Sequence, residues 1–238
     1  MARLLIHVEG ETEESFVNEL LAPHLEALGY SKVSARLLGN SRQRERRGGI
    51  RAWLSVRRDI LNHLREDPSS LASTMVDYYA LPKSGTRAWP GRDAAGKQRF
   101  PHNGRTVQAA LLADVCEQMG DGFDPSRFVP YVMIHEFEAL LFSDCGRFAE
   151  GIARSDLAPR LQAIRDAFAS PEEIDDSPLT APSKRIAGLL PGYEKPLFGT
   201  LAALSVGLAS IRGACPHFES WIRELEDRIG PALPDRHG

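Results

Sequence analysis

Leu4-Leu5-Ile6-His7-Val8-Glu9-Gly10-Glu11-Thr12-Glu13-Glu14 is the stretch whose reading decides the fold. Its apolar run is short, continuous and partly β-branched, which predicts a buried parallel strand rather than a globular helix. Gly10 permits a tight turn at the strand's carboxyl end, and Thr12 is the expected N-cap of the helix that follows. Glu9 then stands at the strand tip and Glu13 in the first helical turn. In open α/β sheets ligands bind at such tips, and two carboxylates converging there point to a hard divalent cation such as Mg²⁺. The competing reading is that acids complement a helix N-terminus. It competes for Glu11, Glu13 and Glu14, whereas Glu9 precedes the helix and directly follows the apolar run.

Working outward, Phe16, Val17, Leu20, Leu21, Leu25 and Leu28 recur at spacings of three and four, an amphipathic helix. Pro23 predicts a kink or two short helices between Thr12 and Leu28, and Gly29 the end of the pattern. A second strand is expected from Val33 to Leu38. Eight arginines lie between Arg36 and Arg58, with Glu45 among them and Asp59 just beyond. Arg42, Arg44, Arg46, Arg47 and Arg51 are the candidate phosphate contacts of that run, against the alternative of a solvated helix and loop.

Helix is expected from Ile50 to about Arg65, then a strand over Ser73–Tyr79 in which Asp77 again stands where the apolar residues run out. Residues 83–105, rich in Gly, Pro and basic residues, read as a long mobile surface loop. A helix from Thr106 to Met119 and a strand over Phe128–Ile134 follow. That strand leads into His135-Glu136-Phe137-Glu138, the third apolar run ending in acids. In extended chain Glu136 and Glu138 share a face; in a helix they lie roughly 200 degrees apart.

The rest reads as helical, over Leu157–Ser170, from Pro171, from Thr180, over Thr200–Ile211 and over Phe218–Ile229, with a turn at Gly192–Pro196. Lys184 and Arg185 fall early in a helix, where cations are unfavourable, which raises an anion contact. Cys215 and His217 are read as structural.

Alternating helix and strand over the first two thirds points to parallel βαβ units. The expectation is an α/β Rossmannoid domain with a central, mostly parallel sheet flanked by helices over residues 1–150, and a helical extension over 151–238. Glu9, Asp77, Glu136 and Glu138 would gather at one edge of the sheet, with Mg²⁺ or Mn²⁺ neutralising them. Such a site suits phosphodiester cleavage.

The totals fit a globular protein: 238 residues, 42% hydrophobic and 26% charged. The net charge of −3 excludes bulk attraction to nucleic acid, though not local basic clusters. Cys116, Cys145 and Cys215 are too widely spaced for a zinc ribbon or a disulfide framework. With no signal peptide and no apolar run of membrane-spanning length expected, a cytoplasmic location without membrane attachment is the expectation.

Val8-Glu9-Gly10-Glu11-Thr12-Glu13 resembles the first motif of Toprim domains, especially the nuclease subclass related to the overcoming-lysogenisation-defect enzymes. The wider pattern is similar to domain-of-unknown-function family 4276 over nearly the whole chain. It comprises Asp77-Tyr78-Tyr79-Ala80-Leu81-Pro82, the block from His135 to Phe142, Ala181-Pro182-Ser183-Lys184-Arg185-Ile186 and Cys215-Pro216-His217-Phe218. The resemblance implies a Toprim-like fold and a metal-dependent nuclease. Glu9 and Asp77 would be its main acids, Glu13, Glu136 and Glu138 would supplement them, and Lys184, Arg185 and Lys195 would meet the phosphate. Where the usual Toprim pattern has a second Asp, this chain has Tyr79. The resemblance further implies an ATPase partner in a bacterial antiphage defence module. A non-catalytic adaptor of an ATPase complex is the alternative, and oligomerisation is left open.

Overall fold

The computed structural model describes residues 2–38, 50–174 and 180–229. The opening run forms β1 (Arg3–Val8), of which the last five residues are buried. It pairs in parallel with both β2 (Lys32–Leu37) and β3 (Ser70–Asp77), and β3 pairs in parallel with β4 (Phe128–Met133). The sheet order is β2-β1-β3-β4. The chain winds from β1 to one side and then crosses to the other, so the switch in direction falls between β1 and β3. At a switch point the connections leaving neighbouring strand tips diverge and open a crevice.

Two-residue alternation divides the strands between two apolar cores. Leu4, Ile6, Val8, Met75, Tyr131 and Met133 face one core, and Ala72, Val76 and Val132 the other. The second core is closed by α3 (Trp53–Glu66), through Val56 and Ile60, and α4 (His102–Met119), through Val107 and Leu111.

The first core is closed from both ends of the chain. α1 (Glu11–Phe16) runs through a π-helical turn, Val17–Leu21, into α2 (Ala22–Leu28). Of the kink or two short helices expected around Pro23, two short helices form, joined by that wider turn. Proline lacks an N–H and crowds the carbonyl four residues back, and a π turn relieves both in a continuous helix. Gly29, at φ +131°, ends α2 as expected. The N-cap expected at Thr12 is instead Gly10, and Thr12 is buried inside the helix.

After β4 come α5 (Glu138–Leu141), α6 (Cys145–Gly151) and α7 (Ala158–Arg165), then α8 (Pro182–Leu189), α9 (Thr200–Ala214) and α10 (Pro216–Asp227). Phe137, Phe148, Val206, Phe218 and Trp221 from this part share one core with β1, α1 and β4. Trp221 stacks on Tyr131 with centroids 4.4 Å apart and donates its indole N–H to Ser73 Oγ at 3.0 Å. Stacking of that kind adds about 0.5–1.5 kcal/mol beyond burial. His217 bonds the Val132 carbonyl at 3.2 Å, and Cys215 is buried against Ser143.

Two further expectations are corrected. Residues 83–105 are not a loose surface loop: Trp89, Arg92 and Ala95 are buried within them. The Trp89 indole bonds the Arg51 carbonyl, and Arg92 bonds the Tyr78 carbonyl with its guanidinium 3.7 Å above the Tyr78 ring. The turn expected at Gly192–Pro196 closes into helix at once, since Lys195–Gly199 is a π-helical turn feeding α9. The combined run Lys195–Ala214 has the length and apolarity of a membrane span, with a mean hydropathy of 1.4. Small residues carry much of that apolarity, so no unbroken apolar run marks it. Here Gly207 breaks the helix at φ +77°, and Ala202 packs against Gly151 of α6.

Candidate active site

Glu9 directly follows β1, and Asp77 is the last residue of β3, so both stand at the switch point of the sheet. Glu13 reaches the same place from the first turn of α1 because Gly10 has no side chain. A Cβ on Gly10 would lie 2.9 Å from Glu13 Oε2, closer than such contacts come. Glu138 enters as the first residue of α5 and is 2% exposed. These four carboxylates, with Lys195 and Phe137, line a cleft of about 300 Å³.

Glu136 and Glu138 are neither one extended pair nor opposite sides of one helix, because the chain turns between them. Lys195 joins them, with Nζ 3.3 Å from Glu136 Oε1 and 3.2 Å from Glu138 Oε2. The other Glu136 oxygen accepts the Ser183 backbone N–H at 2.8 Å. Pro182 occupies the first turn of α8 and donates nothing, so Ser183 offers the first free amide of that helix. The Ala181-Pro182-Ser183 block thus serves the site through its backbone, a role that its side chains do not advertise.

The electrostatics follow from burial of like charges. Burial pushes Glu9 up to about 7, with Glu136 adding to the rise while the Asp77 amide and Lys195 oppose it. Glu13 also rises to about 7, through burial and then through Glu9 and Glu138. Asp77 is held well above the usual carboxylate range by burial, then by Glu9 and Glu13. Burial likewise raises Glu138. Glu136 lies below its ordinary value, because Ser183 and Lys195 outweigh its burial. Lys195 is raised: burial would lower it, but Glu138, Glu136 and Asp77 outweigh that.

Glu9 Oε2 and Asp77 Oδ1 are buried without a hydrogen-bond partner among the described residues. An ionised carboxylate in that position is strongly unfavourable unless a proton or a cation meets it. The donors are all oxygen, the set that Mg²⁺ and Mn²⁺ prefer, so the residues fit such an ion. Among the described residues, no three acids, histidines or cysteines stand together at metal-ligating spacing.

The other sequence candidates fall elsewhere. Lys184 is exposed on α8 and Arg185 bonds the Thr180 carbonyl at 2.7 Å, and neither lines the cleft. Arg51 is paired with Asp59 at 3.0 Å. Arg42, Arg44, Arg46 and Arg47 lie outside the described residues. One buried acid was not singled out in the sequence. Glu172 accepts the backbone N–H groups of His217 and Phe218 at 2.9 Å each, capping α10 from a distant segment. Burial pushes its carboxyl up to about 7 against those two bonds. Only the third dimension supplies that signal.

No protein of curated function matches this chain. Solved structures that match this chain include two C-terminal regions of OLD proteins. The C-terminal region of the Xanthomonas campestris pv. campestris OLD protein is 18% identical, with a TM-score of 0.42, and the match covers 96% of each chain. The C-terminal region of the Burkholderia pseudomallei OLD protein is 17% identical, with a TM-score of 0.47, covering 95% of this chain and 96% of that one. Residues 8–226 match the family described as Domain of unknown function (DUF4276), and the chain belongs to that family.

Proposed function

We propose that this chain is a divalent-metal-dependent nuclease that hydrolyses phosphodiester bonds in DNA or RNA. The observation that carries the reading is the meeting of Glu9, Glu13, Asp77 and Glu138 in one cleft, with an oxygen each of Glu9 and Asp77 buried and unpartnered. These four residues would hold Mg²⁺ or Mn²⁺. When bound, such an ion supplies positive charge against the charge that develops in phosphodiester hydrolysis and makes water a better nucleophile. The chain's own groups do the rest. Lys195, 47% exposed at the cleft, can turn one face to Glu136 and Glu138 and present its remaining N–H donors to a phosphate oxygen. Glu136, held by Ser183 and Lys195, keeps that ammonium in place. Phe137 and the buried strand tips exclude water from one side.

The resemblance of the first motif to Toprim nucleases extends the proposal to a cytoplasmic effector of an ATPase-associated antiphage system. Purified protein is expected to cut DNA or RNA with Mg²⁺ or Mn²⁺, alone or with its ATPase partner. Cutting by Glu9→Ala and Asp77→Asn at the unaltered rate would sink the reading.

The adaptor reading is favoured by two observations. The carboxylates do not stand at ligating spacing by themselves, and Tyr79, in the place of the second Toprim acid, stacks on His135 at 5.8 Å. Calorimetric titration separates the two, because an adaptor has no need of an ion site that depends on Glu9.

A further inference from the structure

Lys83–Arg105 carries six cations, Lys83, Arg87, Arg92, Lys97, Arg99 and Arg105, against the single acid Asp93. Two of the six are engaged: Arg92 with Tyr78, and Arg87 with the Ile50 carbonyl at 2.8 Å. Lys97, Arg99 and Arg105 are exposed and make no ion pair or side-chain hydrogen bond among the described residues. Six arginines elsewhere are paired. Arg3, Arg51, Arg57, Arg154, Arg212 and Arg228 each hold an acid. A cluster of cations left without acids keeps a local positive potential that a net charge of −3 conceals.

These cations border a groove of about 560 Å³ lined by Gln98, Arg99, His102, Arg105, Thr106 and Ala109. Its shape is built in. The Thr106 hydroxyl donates to Gln98 Oε1 at 2.7 Å, which orients the Gln98 amide group. The backbone beneath is fixed by buried Trp89, Arg92 and Ala95. Gly104 packs between Ile134, the Val132 carbonyl and His217, at the carboxyl end of β4. The groove therefore belongs to the same edge of the sheet as the acid cleft. One continuous segment leads to it from Asp77 through Tyr78 and the buried anchors.

The lining chemistry selects the occupant. Guanidinium forks match phosphate oxygens in bidentate fashion, while Ala109 is the one apolar residue and His102 the one ring among the six that line the groove, which suits a phosphate backbone better than an apolar side chain. We propose that the Arg99–His102–Arg105 groove is a sequence-independent contact for the phosphodiester backbone of a nucleic acid. The inference rests on the nuclease reading and extends it: the groove holds the strand whose scissile bond enters the cleft of Glu9 and Asp77.

The test uses the full chain in chelator-containing buffer, where cutting is silent. Fluorescence anisotropy follows labelled DNA and RNA oligonucleotides, single-stranded and duplex, over a series of salt concentrations. Arg99→Ala/Arg105→Ala is expected to weaken binding to every sequence alike and to reduce the slope of log K against log salt by about 2. Arg160→Ala/Arg223→Ala removes two exposed arginines elsewhere and is expected to leave the slope unchanged. The inference is overturned if the groove variant binds like the unaltered chain, or if its loss is confined to one sequence. It is also overturned if the unaltered chain binds no nucleic acid, or if poly-glutamate competes as well as nucleic acid does. A parallel Mn²⁺ cleavage assay separates the two proposals. Groove-dependent binding without cutting, whether the ATPase partner is absent or present, removes the nuclease reading alone, and cutting that ignores Arg99 and Arg105 removes the groove alone.

Discussion

Lys195 Nζ stands 3.2 Å from Glu138 Oε2, so the ammonium that lines the acid cleft meets the carboxylate that is almost wholly withdrawn from water. Removing that ammonium leaves Glu138 buried without a counter-charge. Lys195→Met is expected to lower metal-free stability by about 1–2 kcal/mol, less than a fully buried pair would lose because half of the lysine is exposed. It should also raise the apparent pKa of Glu138, read by NMR titration. If Lys195 is also the phosphate contact, turnover falls further than stability does.

The pH dependence of the metal-free protein has a definite sign. Glu9 and Glu13 lie at about 7 in the folded chain, above the 4.5 of the ordinary carboxyl. The folded state thus binds the extra protons, and stability falls as pH rises from about 4.5 through 7. Chemical denaturation in chelator should show that fall. Mg²⁺ or Mn²⁺ should reverse it, adding about 2.7 kcal/mol at a hundred times the dissociation constant. The added stability should be larger at pH 8 than at pH 5.5, where protons compete for the same oxygens.

Glu9→Gln/Asp77→Asn removes two charges that burial penalises. Its melting temperature in chelator at pH 8 is expected to equal or exceed that of the unaltered chain. The increment from Mn²⁺ should vanish, and cleavage should fall about a hundredfold or more. A lower melting temperature in chelator would show that these acids are structural partners.

Gly10→Ala tests how Glu13 is placed. The backbone there, at φ −136°, accepts any residue, so the fold should stay intact. The new methyl would displace the Glu13 carboxylate and is expected to weaken Mn²⁺ binding severalfold with little change in metal-free melting. Calorimetry and a thermal melt separate the two effects.

Glu172→Ala probes the cap of α10. Two buried amides, of His217 and Phe218, lose their acceptor, a loss of about 1–3 kcal/mol for each group left unsatisfied. Denaturant unfolding should register it, while ion affinity at the cleft should hardly change.

The positions of Glu9 and Asp77 were legible because β1, β3 and β4 are short apolar runs that lead into acids. The order β2-β1-β3-β4 was not, since nothing in a run such as Ser70–Asp77 states which neighbour it will choose. The N-cap was misread because Thr12 has the side chain of a cap. What decides the geometry there is the space that Gly10 leaves for Glu13, which no propensity encodes. Residues 83–105 looked loose because Gly, Pro and cations dominate the stretch, and one of its buried side chains, Arg92, is itself a cation. Lys195 drew notice only through resemblance; its tie to Glu136 and Glu138 spans a distance along the chain that local patterns do not reach.

That long tie also sets a timetable. The carboxylates at positions 9, 13 and 77 leave the ribosome long before residue 195. Contacts between distant parts of a chain form late, because the intervening loop must close first. A partly made or partly folded copy therefore carries the acids but not the ammonium that pins Glu138, and its cleft has no fixed shape. Competence arrives only when the last third of the chain has docked.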